Sequence, residues 1–268
     1  AYAAALKTGY RGPIFLQLDH LQVDKKLYFG LDGKEADPQK AIQELKDLID
    51  EAFEARMFNI DIDPSPLMVA GNLKAQGATL PELQTLGLYD LPELKERDLE
   101  TLPVEEILLR QTFNIRETAN LVKYIRDKEK EYALPFTVGI GGEDMHVDQN
   151  VFSTLRSVKV YAQAVEAALG EKGIAKGKGL IKISVQSGTG HGGITVAGVP
   201  LGEEIVQIDL KALAEITRAA EAGKLGSTIA GAVQHGASTV PEKYFEQFMQ
   251  NRVIEVHLAT GYQNKQLQ

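Results

Sequence analysis

The chain of 268 residues contains no cysteine, which removes disulfides and thiolate metal ligands from consideration. Any metal has to be held by histidine, aspartate or glutamate. Histidine is itself scarce: the five are His20, His146, His191, His235 and His257. Excess positive charge is missing as well. A net charge of −8 and a pI near 5.3 argue against nucleic acid or an anionic membrane as a partner. Phosphorylated metabolites stay accessible through backbone amides and a few cations. No apolar run approaches the roughly 20 residues that a membrane helix needs, so no membrane partner is expected. The opening residues, Ala1 to Lys7, carry neither an initiator methionine nor a signal-peptide pattern. They read as the end of a helix whose beginning is missing.

What is present is a hydrophobic fraction of 44%, enough for one large core, and a repeated pattern of apolar runs that end in polar groups. The run Ile14-Phe-Leu-Gln-Leu-Asp-His20 has strand length and stops at a carboxylate beside an imidazole. Further strands are expected at 57–63, 136–140, 180–185, 227–233 and 252–258. Helices are expected at 39–55, 114–131, 151–169, 209–222 and 241–250, and residues 22–36 read as a polar loop. Strands alternating with helices imply an α/β fold with a parallel sheet and right-handed crossovers. The version that collects functional residues at the C-terminal strand ends is the (β/α)8 TIM barrel. Six strands are visible, so the first two of eight are expected to be missing before residue 1. The whole of 1–268 reads as one barrel domain, with 66–111 as an insertion or excursion of short helices.

His20, His191 and His235 each follow a strand and lie near small residues. Three imidazoles converging on one barrel mouth suit Zn²⁺ or another divalent ion with an open position for substrate. A lone histidine is more often a structural residue, but three at equivalent positions weaken that explanation. Asp19 would sit on the same rim on the other side of the strand's line, suited to proton transfer or to orienting a ligand. Asp61 and Asp63 end the next strand, where they can orient a ligand or make turn contacts before Pro64. Glu143 is either a further ligand or the negative charge of a coming helix, and His146 lies in a polar loop. The turns Gly188-Thr-Gly-His-Gly-Gly193 and His235-Gly-Ala-Ser238 expose amides and a hydroxyl that can hold phosphate, with Thr260 beyond the last strand. Lys182 lies inside a strand with nothing to mark it as a Schiff-base nucleophile.

Four of these stretches, taken in order, resemble the class II, metal-dependent ketose-bisphosphate aldolases. They are Leu18-Asp19-His20, Gly188-Thr189-Gly190-His191-Gly192, His235-Gly236-Ala237-Ser238 and His257-Leu258-Ala259-Thr260. The likeness runs over about residues 5–262. It implies a zinc site at His20, His191 and His235 with Glu143 as fourth ligand. Asp19 would transfer a proton where the bond breaks, and Gly192, Gly236, Ser238 and Thr260 would hold the phosphate, with a monovalent cation nearby. It implies reversible retro-aldol cleavage of a fructose- or tagatose-bisphosphate-like ketose to dihydroxyacetone phosphate and an aldehyde, through a metal-stabilised enediolate. It also implies a cytoplasmic homodimer or homotetramer. His257 stands where the family has a catalytic Asn, and Asp144-Met145-His146-Val147 replaces the usual glycines after the glutamate. These departures suit a divergent member. They also leave open a non-catalytic aldolase-fold subunit that serves a catalytic partner, or a metal-dependent sugar-phosphate isomerase or epimerase.

Overall fold

The computed structural model describes residues 6–95, 97–145, 151–188, 195–196, 199–200, 208–226, 228–235, 237, 240 and 243–257. Six strands form one parallel sheet in the order β1 (Gln17–Gln22), β2 (Asn59–Asp63), β3 (Gly139–Glu143), β4 (Lys182–Val185), β7 (Ala232–Gln234) and β8 (Glu255–Val256). A separate antiparallel pair, β5 (Thr195–Val196) and β6 (Val199–Pro200), was not foreseen in the sequence. Each expected strand is present, but several begin two or more residues later than their apolar runs do. The runs start as the chain climbs toward the sheet, and pairing begins where neighbours come into register. Among the described residues the sheet is an open, curled half-barrel rather than a closed barrel of eight strands.

The curl is visible in side chains. Gln17 on β1 and Glu255 on β8 belong to opposite edges of the sheet, yet Gln17 Nε2 donates to Glu255 Oε1 at 3.0 Å. Alternation along the strands sends Ile60, Ile62, Ile140, Ile183 and Val185 into the hydrophobic core. Asp61, Asp63, Glu143, Lys182 and Ser184 share the concave face and make contacts with one another or with its histidines. The glycines of β3 make room there. At Gly141 a methyl group would overlap the Asp61 carboxylate and stand 3.1 Å from Lys182 Cε.

Helices cover the convex face, and their caps fix where they start. Asp37 accepts from Lys40 N at 2.9 Å and opens the helix Pro38–Glu54, which buries Ile42, Leu45, Ile49 and Phe53. Thr154 and Ser157 form a reciprocal capping box that starts the helix Leu155–Glu171 four residues later than expected. Asp209 caps Leu210–Glu221. Residues 22–36 are not all loop: Asp24 accepts from the amides of Lys26 and Leu27 and nucleates the short helix Lys25–Phe29, which buries Tyr28 and Phe29.

Among the described residues, short helices at Glu82–Thr85 and Val104–Arg110 and two 3₁₀ turns are the regular elements between β2 and the long helix Thr112–Tyr132. Met68, Leu94, Leu99, Ile107, Met145 and Val151 form a small second core there. Met145 lies two residues beyond Glu143, so this excursion packs directly against the end of β3. No described helix is long and apolar enough to cross a membrane.

Candidate metal centre

The site starts from an irregularity in β1. Successive side chains on a regular strand point to opposite faces, which would separate Asp19 from His20. Here the register slips between Leu18 and Leu21, and His20 has φ of +58°. This bulge in the left-handed region re-aims a side chain. It brings both residues to the concave face, overturning the expectation that they diverge. The His20 and His235 rings meet edge to face, 5.3 Å between centroids, and His257 stacks on His235 at 4.5 Å.

Two imidazoles then converge on one carboxylate. His20 Nδ1 lies 3.8 Å and His235 Nδ1 3.4 Å from Glu143 Oε2. Each ring is steadied through its other nitrogen. Ser184 Oγ sits 2.8 Å from His235 Nε2, while Gln22 Nε2 at 3.2 Å and Asp63 Oδ2 at 3.5 Å flank His20 Nε2. Asp63 is held in turn by the amide and hydroxyl of Ser65. Partners of this kind orient imidazole ligands in metal sites.

Glu143 is the decisive residue. Its side chain is 2% exposed, and neither carboxylate oxygen has a hydrogen bond among the described residues. Burial, followed by the charges of Asp63, Asp144, Asp19 and Asp61, pushes its pKa well above the ordinary carboxylate value. A buried carboxylate without hydrogen bonds is costly, and a cation between it and the imidazoles removes that cost. The backbone around it is pinned from the start of the long helix and the residue before it: Asn114 Nδ2 donates to the Glu143 carbonyl at 3.1 Å and Gln111 Nε2 to the Asp144 carbonyl at 2.7 Å. The Asp144 side chain accepts from Ser153 and Ser157. Burial lifts its pKa to about 6 in spite of those bonds.

Three groups of described side chains have the spacing to hold a metal: His20, Glu143 and His235; Asp19, His235 and His257; and Asp61, Glu255 and His257. The last is filled by an ammonium, since Lys182 Nζ is 2.9 Å from Asp61 Oδ2 and 2.6 Å from Glu255 Oε2. In the second, His257 is already clamped between carboxylates, with Nδ1 2.8 Å from Asp19 Oδ1 and Nε2 2.6 Å from Glu255 Oε1. The first group fits best. Two nitrogens and a carboxylate oxygen are a donor set for zinc or a similar divalent ion.

Burial lowers the pKa of His257, but its bonds to Asp19 and Glu255 outweigh this and raise it to about 9. The Glu255 carboxyl falls to about 2, because His257 and Lys182 outweigh its burial. Asp61 rises to about 6, its burial outweighing Lys182. Asp19 is 43% exposed; the neighbouring imidazoles, His257 foremost, outweigh desolvation and lower its pKa.

The structure therefore gathers Asp19, His20, Glu143, His235 and His257 in one place. His191, Gly192, Gly236, Ser238, Thr260 and His146 lie outside the described residues. Gln17, Gln22, Ser184 and Glu255 join the site without a mark of their own in the sequence, and Lys182 joins it as the partner of Asp61 and Glu255. Their signal was two-residue spacing along strands (Lys182 with Ser184, Glu255 with His257), which identifies a shared face only once the strands are known.

No known protein family and no curated protein matches the chain. Among solved structures it has a likeness to a Coccidioides immitis protein described as a fructose-1,6-bisphosphate aldolase, at 17% identity and a TM-score of 0.48. That likeness covers 99% of this chain but only 66% of the other. A second likeness, to the YdjI aldolase of Escherichia coli, has 11% identity and a TM-score of 0.35 over 83% of this chain and 73% of that one. Values this low carry no functional argument, which has to come from the site.

Proposed function

We propose that the chain is a metal-dependent aldolase that cleaves a phosphorylated ketose, of the fructose- or tagatose-bisphosphate type, to dihydroxyacetone phosphate and an aldehyde. The observation that carries the metal dependence is the Glu143 carboxylate, buried without a hydrogen bond among the described residues and faced by His20 and His235. These three, with His191 as a further donor, hold a divalent ion in this reading. The ion supplies Lewis-acid polarisation of a carbonyl oxygen.

The choice of a ketose phosphate rests on the four ordered motifs, with Gly192, Gly236, Ser238 and Thr260 as the phosphate cradle. Asp19 stands at the exposed rim next to His20 and exchanges a proton with the carbon at which the bond breaks. The neighbouring imidazoles lower its pKa, which favours the carboxylate form. His257 lies beside it, with Nδ1 2.8 Å from Asp19 Oδ1, an ion-pair contact at the rim.

The test is a cleavage assay on ketose bisphosphates with and without a chelator. Activity is expected to vanish on chelation and to return with zinc. Asp19→Ala should keep its metal and lose on the order of 10²–10⁴ in turnover. Cleavage that survives complete metal removal, or wild-type turnover in Asp19→Ala, would contradict the proposal. Metal retention with isomerisation and no cleavage would replace it with the isomerase reading.

A further inference from the structure

Below the metal group, the concave face holds a second set of buried polar side chains that the proposed reaction does not use. Lys182 on β4 is 3% exposed. Its Nζ lies 2.9 Å from Asp61 Oδ2, 3.1 Å from Gln17 Oε1, and 2.8 and 2.6 Å from the two oxygens of Glu255. An ammonium has three protons to donate, and here it has a carboxylate on β2, an amide oxygen on β1 and a carboxylate on β8 to receive them. Gln17 Nε2 reaches Asp61 and Glu255 as well, at 2.8 and 3.0 Å.

Glu255 has a further partner. Its Oε1 is 2.6 Å from His257 Nε2, two residues along the same strand and on the same face. On the far side of that ring, Nδ1 meets Asp19. The side chains therefore form one chain of contacts, Asp61 to Lys182 to Glu255 to His257 to Asp19, which runs from the sheet interior to the exposed rim. A carboxylate can only accept at these distances, so Glu255 specifies a proton on His257 Nε2 and fixes the plane of the ring.

We propose that Glu255, anchored by Lys182, is a positioning residue: it holds the His257 ring so that its Nδ1 meets Asp19. This rests on the reading of Asp19 and His257 as residues that act on the substrate, but the ring placement can be examined without any turnover. A misplacement of about 1 Å in such a group can cost on the order of 100-fold in rate.

Two variants of the metal-loaded protein test it. Glu255→Asp keeps a negative charge near Lys182 but withdraws the acceptor from His257. Glu255→Gln keeps an oxygen at the original reach. Nitrogen-15 NMR of histidine-labelled protein, with His257 identified through His257→Gln, reads the Nε2 proton directly. The Asp variant is expected to lose the protected Nε2–H signal of His257, and its kcat should drop by about 10–100-fold. KM and metal content should stay at wild-type values. The Gln variant should retain the signal and recover most of kcat. A wild-type His257 spectrum in Glu255→Asp, or a Gln variant as damaged as the Asp variant, would overturn the proposal. If the wild type shows no cleavage, the aldolase reading fails, and the NMR comparison still decides the role of Glu255.

Discussion

Glu143 and His20 show how much of the site depends on single residues held in uncomfortable states. One is a carboxylate buried without hydrogen bonds among the described residues, and the other is a non-glycine residue at positive φ. Local strain of about 1–3 kcal/mol per residue persists where the surroundings over-determine it. Gly141 has the opposite character, since its lack of a side chain is what allows Asp61 and Lys182 to meet. Gly141→Ala is expected to separate that buried pair and to destabilise the fold by about 2–4 kcal/mol in urea unfolding. An unchanged midpoint would show that the pair does not depend on the glycine. Asp19, His20, His235 and His257 were legible because they recur at the ends of apolar runs. The bulge was not: nothing in Leu18-Asp19-His20 announces a left-handed residue. Ser184 and Glu255 were hidden because a serine or glutamate in a strand gains meaning only from the register that faces it toward a histidine.

Among the secondary-structure elements, periodicity located the long helices and the six parallel strands, and capping decided the boundaries. The helix Leu155–Glu171 waits for Thr154 because Thr154 and Ser157 satisfy each other's backbone amides there. Thr154→Ala should cost about 1 kcal/mol of stability. A loss well below that would mean that water or a neighbour replaces the cap. The same turn ties into the site, since Ser157 also donates to Asp144, next to Glu143. The excursion after β2 carries no strong periodicity, so its role is not legible from residue patterns alone. Its Gln111 pins the carbonyl of Asp144, Asn114 on the long helix that follows pins that of Glu143, and Met145 is anchored in the excursion's small core. It acts as a brace for the end of β3.

For the molecule as a whole, the open six-stranded sheet is curled tightly enough for its two edge strands to share hydrogen bonds through Gln17, Glu255 and Lys182. Its concave face gathers Asp19, Asp61, Asp63, Glu143 and Glu255 around one described ammonium, that of Lys182, which is already paired with two of them. In the proposed reading a divalent ion between His20, His235 and Glu143 would offset the remaining negative charge and couple binding to folding. The most direct measurement is the divalent metal content of protein purified without added metal or chelator, followed by thermal unfolding before and after chelation. About one ion per chain is expected, with chelation lowering stability by about 4 kcal/mol where free metal had stood near 1,000 times its Kd. Protein that carries no metal, takes none up and melts identically with chelator would contradict the metal centre and the aldolase reading built on it.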